Sequence, residues 1–501
     1  MNILLDRIGR HASERPHAPA LRDETIKFDY SSLQSEIEKL SELKFEPRVG
    51  LLLNNGVHWA CLDLVLLKLQ KVCVPMPGFF SNAQLEHLIR DAGLDIVLTD
   101  NPVRMAELLG VKATDMFEVA GRPVWLFQCN PNEIGGCVQP LPEGTIKITY
   151  TSGTTGQPKG VCLSAQAIER VIVSLCEAVE ARAEDQSLSL IPLSTLLENI
   201  AGLYAPLWVG AMTQIPNLAS CGLAGTSGLQ PNLFFKALDD YAPTTTILVP
   251  QLLKVIVDCV WAGMPVPDSL RFAAVGGAPT PSALLERARS LGVPVYQGYG
   301  LSEAGSVASL NTSSAEREGS VGKPLPHLQV SIAEDGEVIV SGNVFLGYLG
   351  DTRPASNDSW PTGDLGYLDE DGFLFLTGRK KTAYATAYGR NVSPEWVESE
   401  LTSHPLIAQA AVFGEGQAFN VAVIVPGPNA VLQDLIAALN VINHRLPVYA
   451  QIGRWIVADQ AFSPLNGLAN SAGCMQRHAV WNQYRTRIEQ HYVSEERHAL
   501  L

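Results

Sequence analysis

At 501 residues the chain is too long for one hydrophobic core, and roughly two to four domains are expected. An apolar fraction of 46% with 17% charged residues is the composition of a soluble globular protein. A net charge of -15 argues against a nucleic-acid binder, which needs a basic face for phosphates, and none of the nine scattered cysteines stands in a zinc spacing.

The chain starts MNILLDRIGRHASERP, with charges inside its first ten residues and no apolar core of a secretory signal. Together with the cysteine usage, this predicts a cytoplasmic protein with reduced thiols. The longest apolar runs, such as TTTILVPQLLKVIV (244–257), fall short of a membrane span, so no transmembrane segment is expected. RVGLLLNN, DIVLTD, TIKITYTS, TILVPQ, RFAAVGG and VPVYQGYG follow in order as strand-like runs. Each ends in small or turn-forming residues, and a helical pattern usually follows. That alternation predicts an α/β fold with parallel-type sheets covered by helices. Ligands in such folds gather at the carboxyl ends of the strands.

From about residue 319 the texture changes. HLQVSIAEDGEVIVSG and GDLGYLDEDGFLFLTG carry DG turns and read as hairpins, a β-rich subdomain of the large N-terminal domain. After GRKK (378–381) comes a smaller α+β block. It has a helical run at 394–404, strands at 407–413 and 420–425, and two further helical stretches. We therefore expect an N-terminal domain over 1–378, a hinge at 379–382 and a small mobile C-terminal domain over 383–501.

The strongest chemical signal is YTSGTTGQPKGV (150–161), which follows the strand-like TIKIT. Gly153, Gly156 and Gly160 let the backbone approach an anion, and consecutive N–H groups can form a nest for phosphate oxygens. Thr151, Ser152, Thr154 and Thr155 add hydroxyls, and Lys159 adds a positive charge. A solvated turn is the ordinary reading of a Gly/Ser/Thr loop. Here the preceding strand, the density of hydroxyls and the lysine favour a phosphate loop. The Walker pattern GxxxxGK[ST] is absent.

This stretch resembles the phosphate loop of the adenylate-forming (AMP-binding) superfamily, most closely acyl-CoA synthetases of the long-chain type. Further blocks occur in that family's order: FDYSSL (28–33), VPMP (74–77), AVGGAP (274–279), YQGYGLSEAG (296–305), GEVIVSG (336–342), TGDLGYLDEDGFLFLTGRKK (362–381) and GRNVSPEWVE (389–398). The resemblance implies ATP and Mg²⁺ as cofactors, CoA as co-substrate and a small-molecule carboxylic acid as partner, with an acyl carrier protein as alternative acceptor. It implies activation of a fatty or aryl acid to acyl-AMP, followed by thioester formation.

Carried over residue by residue, the resemblance makes Thr155, Glu303 and Lys381 the catalytic set. Nucleotide binding falls to residues 151–156 and Lys159, with Gly277, Ala278, Tyr299, Gly300, Ser302, Asp364 and Arg379. Tyr299 would stack on adenine, Asp364 would accept from the ribose hydroxyls, and Glu303 would hold Mg²⁺ through oxygen. Lys381 would be the hinge about which the small domain turns, and Gly389 would face the pantetheine. IPLSTLLENIAG (191–202) resembles the acyl-pocket block, with Thr195 where histidine is usual, and the resemblance assigns Gly276 to the same pocket. Pro192, Leu193 and Ser194 carry no charge for a substrate ammonium, which argues against an α-amino acid. LYAPLWVGA, just after, reads equally as core or as tunnel wall.

One departure stands out in LNGLANSAGCMQR (465–477). The family's catalytic lysine falls on Cys474, and no lysine follows Lys381. A thiol cannot bring positive charge to the transition state. Three activities remain open: a ligase slow at adenylation or rescued by another cation such as Arg477 or Arg454, a binding homologue without ligase activity, and an enzyme mainly of the thioester half-reaction.

Overall fold

The computed structural model describes residues 3–129, 139–151, 158–224, 228–351, 359–387, 390–428, 430–470 and 475–496. Two large sheets dominate residues 19–348. In the first, Gln186–Leu188, Thr245–Leu248, Phe272–Val275 and Val295–Tyr299 lie side by side and run parallel. In the second, Arg48–Leu52 sits between Val72–Pro75 and Ile96–Thr99, again parallel. The second sheet turns antiparallel at its edges, where Thr145–Thr151 pairs with Lys159–Ser164. Helix Val57–Lys68 is apolar on almost every side because it is enclosed, and ten of its residues are buried.

Helix Ala165–Ala178 starts where Ser164 leaves the sheet, its hydroxyl accepting from the Ala167 N–H at 3.1 Å. Its buried face, Ile168, Val171, Ile172 and Leu175, packs into the main core. The expected hairpins are present. Leu328–Ile332 and Glu337–Gly342 pair antiparallel, as do Ser359–Leu368 and Leu374–Arg379. Their turns use Gly336 and Gly372 at φ +84° and +82°, conformations that other residues adopt only with strain.

The C-terminal block has its own cores around a three-stranded sheet. Ile407–Phe413 and Ile452–Val457 flank Asn420–Pro426, and helices Pro394–Thr402, Leu432–Arg445 and Arg477–Glu496 pack on it. Among the described residues no helix is long and apolar enough to cross a membrane.

A polar knot lies inside the N-terminal region. Lys147 on strand Thr145–Thr151 donates to Asp63 at 2.8 Å, Asn199 at 2.5 Å and Tyr204 at 2.9 Å, and all four side chains are buried. Asn199 Nδ2 and the Tyr204 hydroxyl close the ring on Asp63 Oδ2. Asp63 comes from helix Val57–Lys68, and Asn199 and Tyr204 come from a π-helix over Glu198–Tyr204. The knot thus ties strand Thr145–Thr151 to helix Val57–Lys68 and to the π-helix. A single-turn π-helix is rare and commonly marks a functional position.

Candidate active site

The segment expected to be a phosphate loop lies between two antiparallel strands, with Thr151 opposite Lys159. The sequence pattern suggested a strand followed by a helix. Instead a strand, Lys159–Ser164, intervenes, because Thr145–Thr151 offers it an antiparallel partner. Ser152, Gly153, Thr154, Thr155 and Gly156 lie outside the described residues.

Two connected spaces lie beside the flanking strands, one lined by Thr149 and Tyr150 and the other by Lys159. An inner cavity of about 430 Å³ is walled largely by apolar groups such as Leu197, Ala201, Val209, Phe272 and Val307, and includes Thr195 and Gly276. An outer cleft of about 1900 Å³ separates the N-terminal region from the C-terminal block. Gly277, Gly300, Leu301 and Ser302 line both spaces and form the mouth between them. Gly276 and Gly277 follow strand Phe272–Val275, so the mouth lies at the carboxyl ends of the parallel strands. Gly277 sits at φ +79°, and a side-chain carbon there would point into open space. Gly300 is glycine for another reason: a Cβ would collide with the Ser306 carbonyl.

Thr195 is taken up locally, its hydroxyl donating to the Pro192 carbonyl at 2.7 Å. The segment after it serves both as core and as wall. Leu203 and Leu207 are buried in the main core, while Ala205, Pro206, Val209 and Ala211 face the cavity. Glu198, at the start of the π-helix, is fully buried, and burial pushes its carboxyl up to about 8 with the Ser189 hydroxyl opposing in part. A Cβ on Gly202, one helical turn on, would lie 2.1 Å from Glu198 Oε1, so a side chain there would force the buried carboxyl to move.

In the outer cleft Lys159, Ser302, Glu303, Ala278, Arg379 and Lys381 share one lining. Tyr348 donates its hydroxyl to Glu303 Oε1 at 2.7 Å, and the Lys159 ammonium lies 5.4 Å from the Tyr348 ring centre. Tyr348, in strand Gly347–Tyr348, pairs with the strand that starts at Lys159. Mg²⁺ is usually held by one or two carboxylates plus phosphate oxygens, so a single oriented carboxylate fits that ion. No cluster of three or more metal-binding side chains exists among the described residues.

Tyr299 reaches Asp364 Oδ2 at 2.6 Å, and Arg379 Nε reaches Asp364 Oδ1 at 2.7 Å. Asp364 is buried, whereas the Arg379 side chain is 54% exposed. Tyr299 lines the inner cavity, while Asp364, which it meets, lines neither space. Beyond Arg379 the chain turns tightly, the Ala383 N–H meeting the Arg379 carbonyl at 2.7 Å, with Lys381 exposed at the turn. Lys380 is bound to Asp335 and Glu337.

Gly389 and Cys474 lie outside the described residues. Asn470 and Met475, which flank positions 471–474, line the same cleft as Lys159 and Glu303. Arg477 lines it too, but its guanidinium is held by Glu398 at 2.6 Å and by the Val412 carbonyl at 2.8 Å. Arg454 lies on strand Ile452–Val457 with its guanidinium carbon 5.6 Å from the Phe419 ring centre.

The sequence reading missed Tyr348, the Lys147 knot and an ion pair, Asp185–Arg271, at the cavity's far end. A lysine in the apolar strand TIKIT was a visible sign of the knot. Tyr348 in FLGYLG carried no comparable sign, since its meaning depends on Glu303, 45 positions earlier.

Comparisons with known proteins agree with this geometry. The model of the AMP-binding enzyme family matches residues 8–349, and that of the AMP-binding enzyme C-terminal domain matches 383–496. The long-chain-fatty-acid–CoA ligase FadD15 of Mycobacterium bovis is 30% identical over 459 residues, covering 76% of this chain and 73% of that protein. The 2-succinylbenzoate–CoA ligase of Bacillus cereus is 30% identical over 423 residues, covering 77% and 82%. Among solved structures, the anthranilate CoA ligase AuaEII with anthranoyl-AMP superposes at a TM-score of 0.80, with 19% identity and 96% of both chains covered. The o-succinylbenzoate CoA synthetase of Bacillus subtilis with ATP and magnesium superposes at 0.74, with 23% identity and 95% and 98% covered. The structural likeness carries the fold. The family model matched over residues 8–349, with relatives 30% identical over most of the chain, shows that the chain belongs to the AMP-binding enzyme family.

Proposed function

We propose that this enzyme activates a non-amino-acid carboxylate with ATP and transfers the acyl group to the thiol of CoA. The observation that carries this reading is the joined pair of spaces. An apolar cavity opens, through a rim of glycines and Ser302, into a cleft that holds Lys159 and Glu303. The acid would lie with its chain in the cavity and its carboxylate at the rim.

In the first step a carboxylate oxygen attacks the α-phosphorus and pyrophosphate leaves. The loop around residues 151–156 and Lys159 would hold the phosphates, and Ser302 would donate to one of them. Glu303, oriented by Tyr348, would hold Mg²⁺, which screens phosphate charge when bound. Asp364 would meet the ribose once Arg379, its exposed partner, swings aside. Thr155 would support the phosphates, and Tyr299 and Ala278 would border the adenine. In the second step the thiol sulfur attacks the acyl carbonyl and AMP leaves. Lys381 would be the turning point that swaps the lid face between the two steps, bringing the segment around Gly389 to the thiol. The domains would then be 1–378 and 383–501 about a 379–382 hinge.

Relatives that use long-chain fatty acids and 2-succinylbenzoate both fall within the same range of similarity, so fatty and aryl acids are the two substrate classes to test. An acyl carrier protein is the alternative thiol donor. Cys474 and the committed Arg477 favour slow adenylation as a second reading. Among the described residues seven buried or half-buried cysteines are free thiols, which supports a cytoplasmic site of action. The test is acid-dependent formation of AMP and acyl-CoA from ATP, Mg²⁺, CoA and a panel of fatty and aryl acids. Acyl-CoA from at least one acid is expected, and none from any acid contradicts the proposal.

A further inference from the structure

The inner cavity ends at a charged pair. Asp185 and Arg271 both line it, and each stands just ahead of a parallel strand, Gln186–Leu188 and Phe272–Val275. Strand Thr245–Leu248 lies between those two strands. The pair therefore bridges the amino edge of the sheet, opposite the carboxyl edge where Gly276 and Gly277 form the mouth. From Arg271 to Gly276 is about five residue steps, or roughly 16 Å of extended strand. The cavity thus runs the depth of the sheet, from the nucleotide side to the ion pair.

The pair is built as a closure. Arg271 Nε meets Asp185 Oδ1 at 2.7 Å and Nη2 meets Oδ2 at 2.5 Å, a two-pronged contact. Arg271 Nη1 also donates to the Val179 carbonyl at 3.1 Å, just past the end of helix Ala165–Ala178. Asp185 accepts in turn from the Arg182 N–H at 2.8 Å and the Thr244 hydroxyl at 2.9 Å. Sheet edge and helix end are thereby tied together across the bottom of the cavity. The Arg271 side chain is 28% exposed and Asp185 8%, so solvent lies just beyond.

We propose that Asp185–Arg271 is the end wall of the acyl pocket and sets the longest straight-chain acid that the enzyme takes. The inference rests on the acyl-activating reading above. An alkyl terminus pushed against the pair would strip it of partners or of water without replacing them, which costs far more than a methylene gains. Shorter chains fill the apolar wall and bind more tightly with each carbon until they reach the pair. Both residues are specificity determinants, remote from the reacting atoms.

The test uses a series of N-acylsulfamoyl adenosines with straight chains of increasing length, binding measured calorimetrically on the full chain. This readout does not depend on the adenylation rate. Wild type should bind more tightly with length and then weaken at least about tenfold at a sharp break. The double variant Asp185→Asn/Arg271→Gln removes both charges together and should move that break to longer chains. Ala181→Leu, at the half-buried turn beside the pair, should move it to shorter ones. A break at the same length in all three proteins, or no break in wild type, overturns the inference and leaves acyl activation standing. Failure of every chain length to bind in wild type overturns both.

Discussion

Arg477, half-buried, and Glu398, buried, form a clasp in the C-terminal domain. Arg477 Nη2 meets Glu398 Oε2 at 2.6 Å, and the Val412 N–H meets Glu398 Oε1 at 2.6 Å. The first turn of helix Arg477–Glu496 is thereby bolted to helix Pro394–Thr402 and strand Ile407–Phe413. A guanidinium so engaged is not available to replace the lysine that the resemblance leads one to expect at position 474. Arg477→Ala leaves Glu398 buried without its partner, and the expected loss is about 3 kcal/mol. Urea unfolding of the purified variant measures it. A variant of unchanged stability whose adenylation alone collapses would show instead that Arg477 is the working cation.

Tyr348 orients the carboxylate assigned to Mg²⁺. Tyr348→Phe keeps the ring beside Lys159 but removes the hydroxyl bond to Glu303. The expected result is a Mg²⁺ requirement raised by roughly tenfold, the usual scale for losing a group that orients a metal ligand. Activity titrated against Mg²⁺ at fixed ATP checks this. Unchanged Mg²⁺ dependence would leave Tyr348 a packing residue.

Glu198 makes stability depend on pH in an unusual direction. Its carboxyl is ordinarily half-titrated near 4.5 and burial raises it to about 8, so the folded state holds the proton more firmly than the unfolded state. Its contribution is full below pH 4.5 and is lost as pH rises towards 8. Glu198→Gln is neutral throughout. The stability of wild type relative to this variant should therefore fall by a few kcal/mol, about 4, between pH 5 and pH 8. Thermal unfolding of both proteins across that range tests it, and parallel curves would contradict a buried neutral acid.

The Lys147 knot predicts a structural loss. Lys147→Met removes the only cation bound to Asp63 among the described residues, and leaves a buried carboxylate with neutral donors alone. A loss of about 3–5 kcal/mol is expected in chemical unfolding. An effect below about 1 kcal/mol would mean that Asp63 is neutral in the folded protein.

Much of the fold was legible because strand-forming runs end in turn residues at regular intervals, as in RFAAVGG and VPVYQGYG. The site was legible where chemistry is local. Lys159, Ser302, Glu303, Arg379 and Lys381 were named from short motifs and share one cleft. What escaped depends on which strands become neighbours. Asp185 and Arg271 are 86 positions apart and meet only because Gln186–Leu188 and Phe272–Val275 flank one strand. Tyr348 meets Glu303 only because a two-residue strand adds to the sheet edge beyond Lys159. The intervening strand Lys159–Ser164 escaped for the same reason, since its partner, not its own pattern, makes it a strand.

The central claim is carboxylate activation by a chain that has Cys474 where the family resemblance leads one to expect a lysine. Carboxylate-dependent ATP–pyrophosphate exchange, with wild type beside Cys474→Lys, tests it most directly. Restoring one positive charge at a charged transition state should raise exchange by on the order of a hundredfold, from a low but measurable wild-type rate. No exchange in either protein, with ATP still bound, would contradict the account.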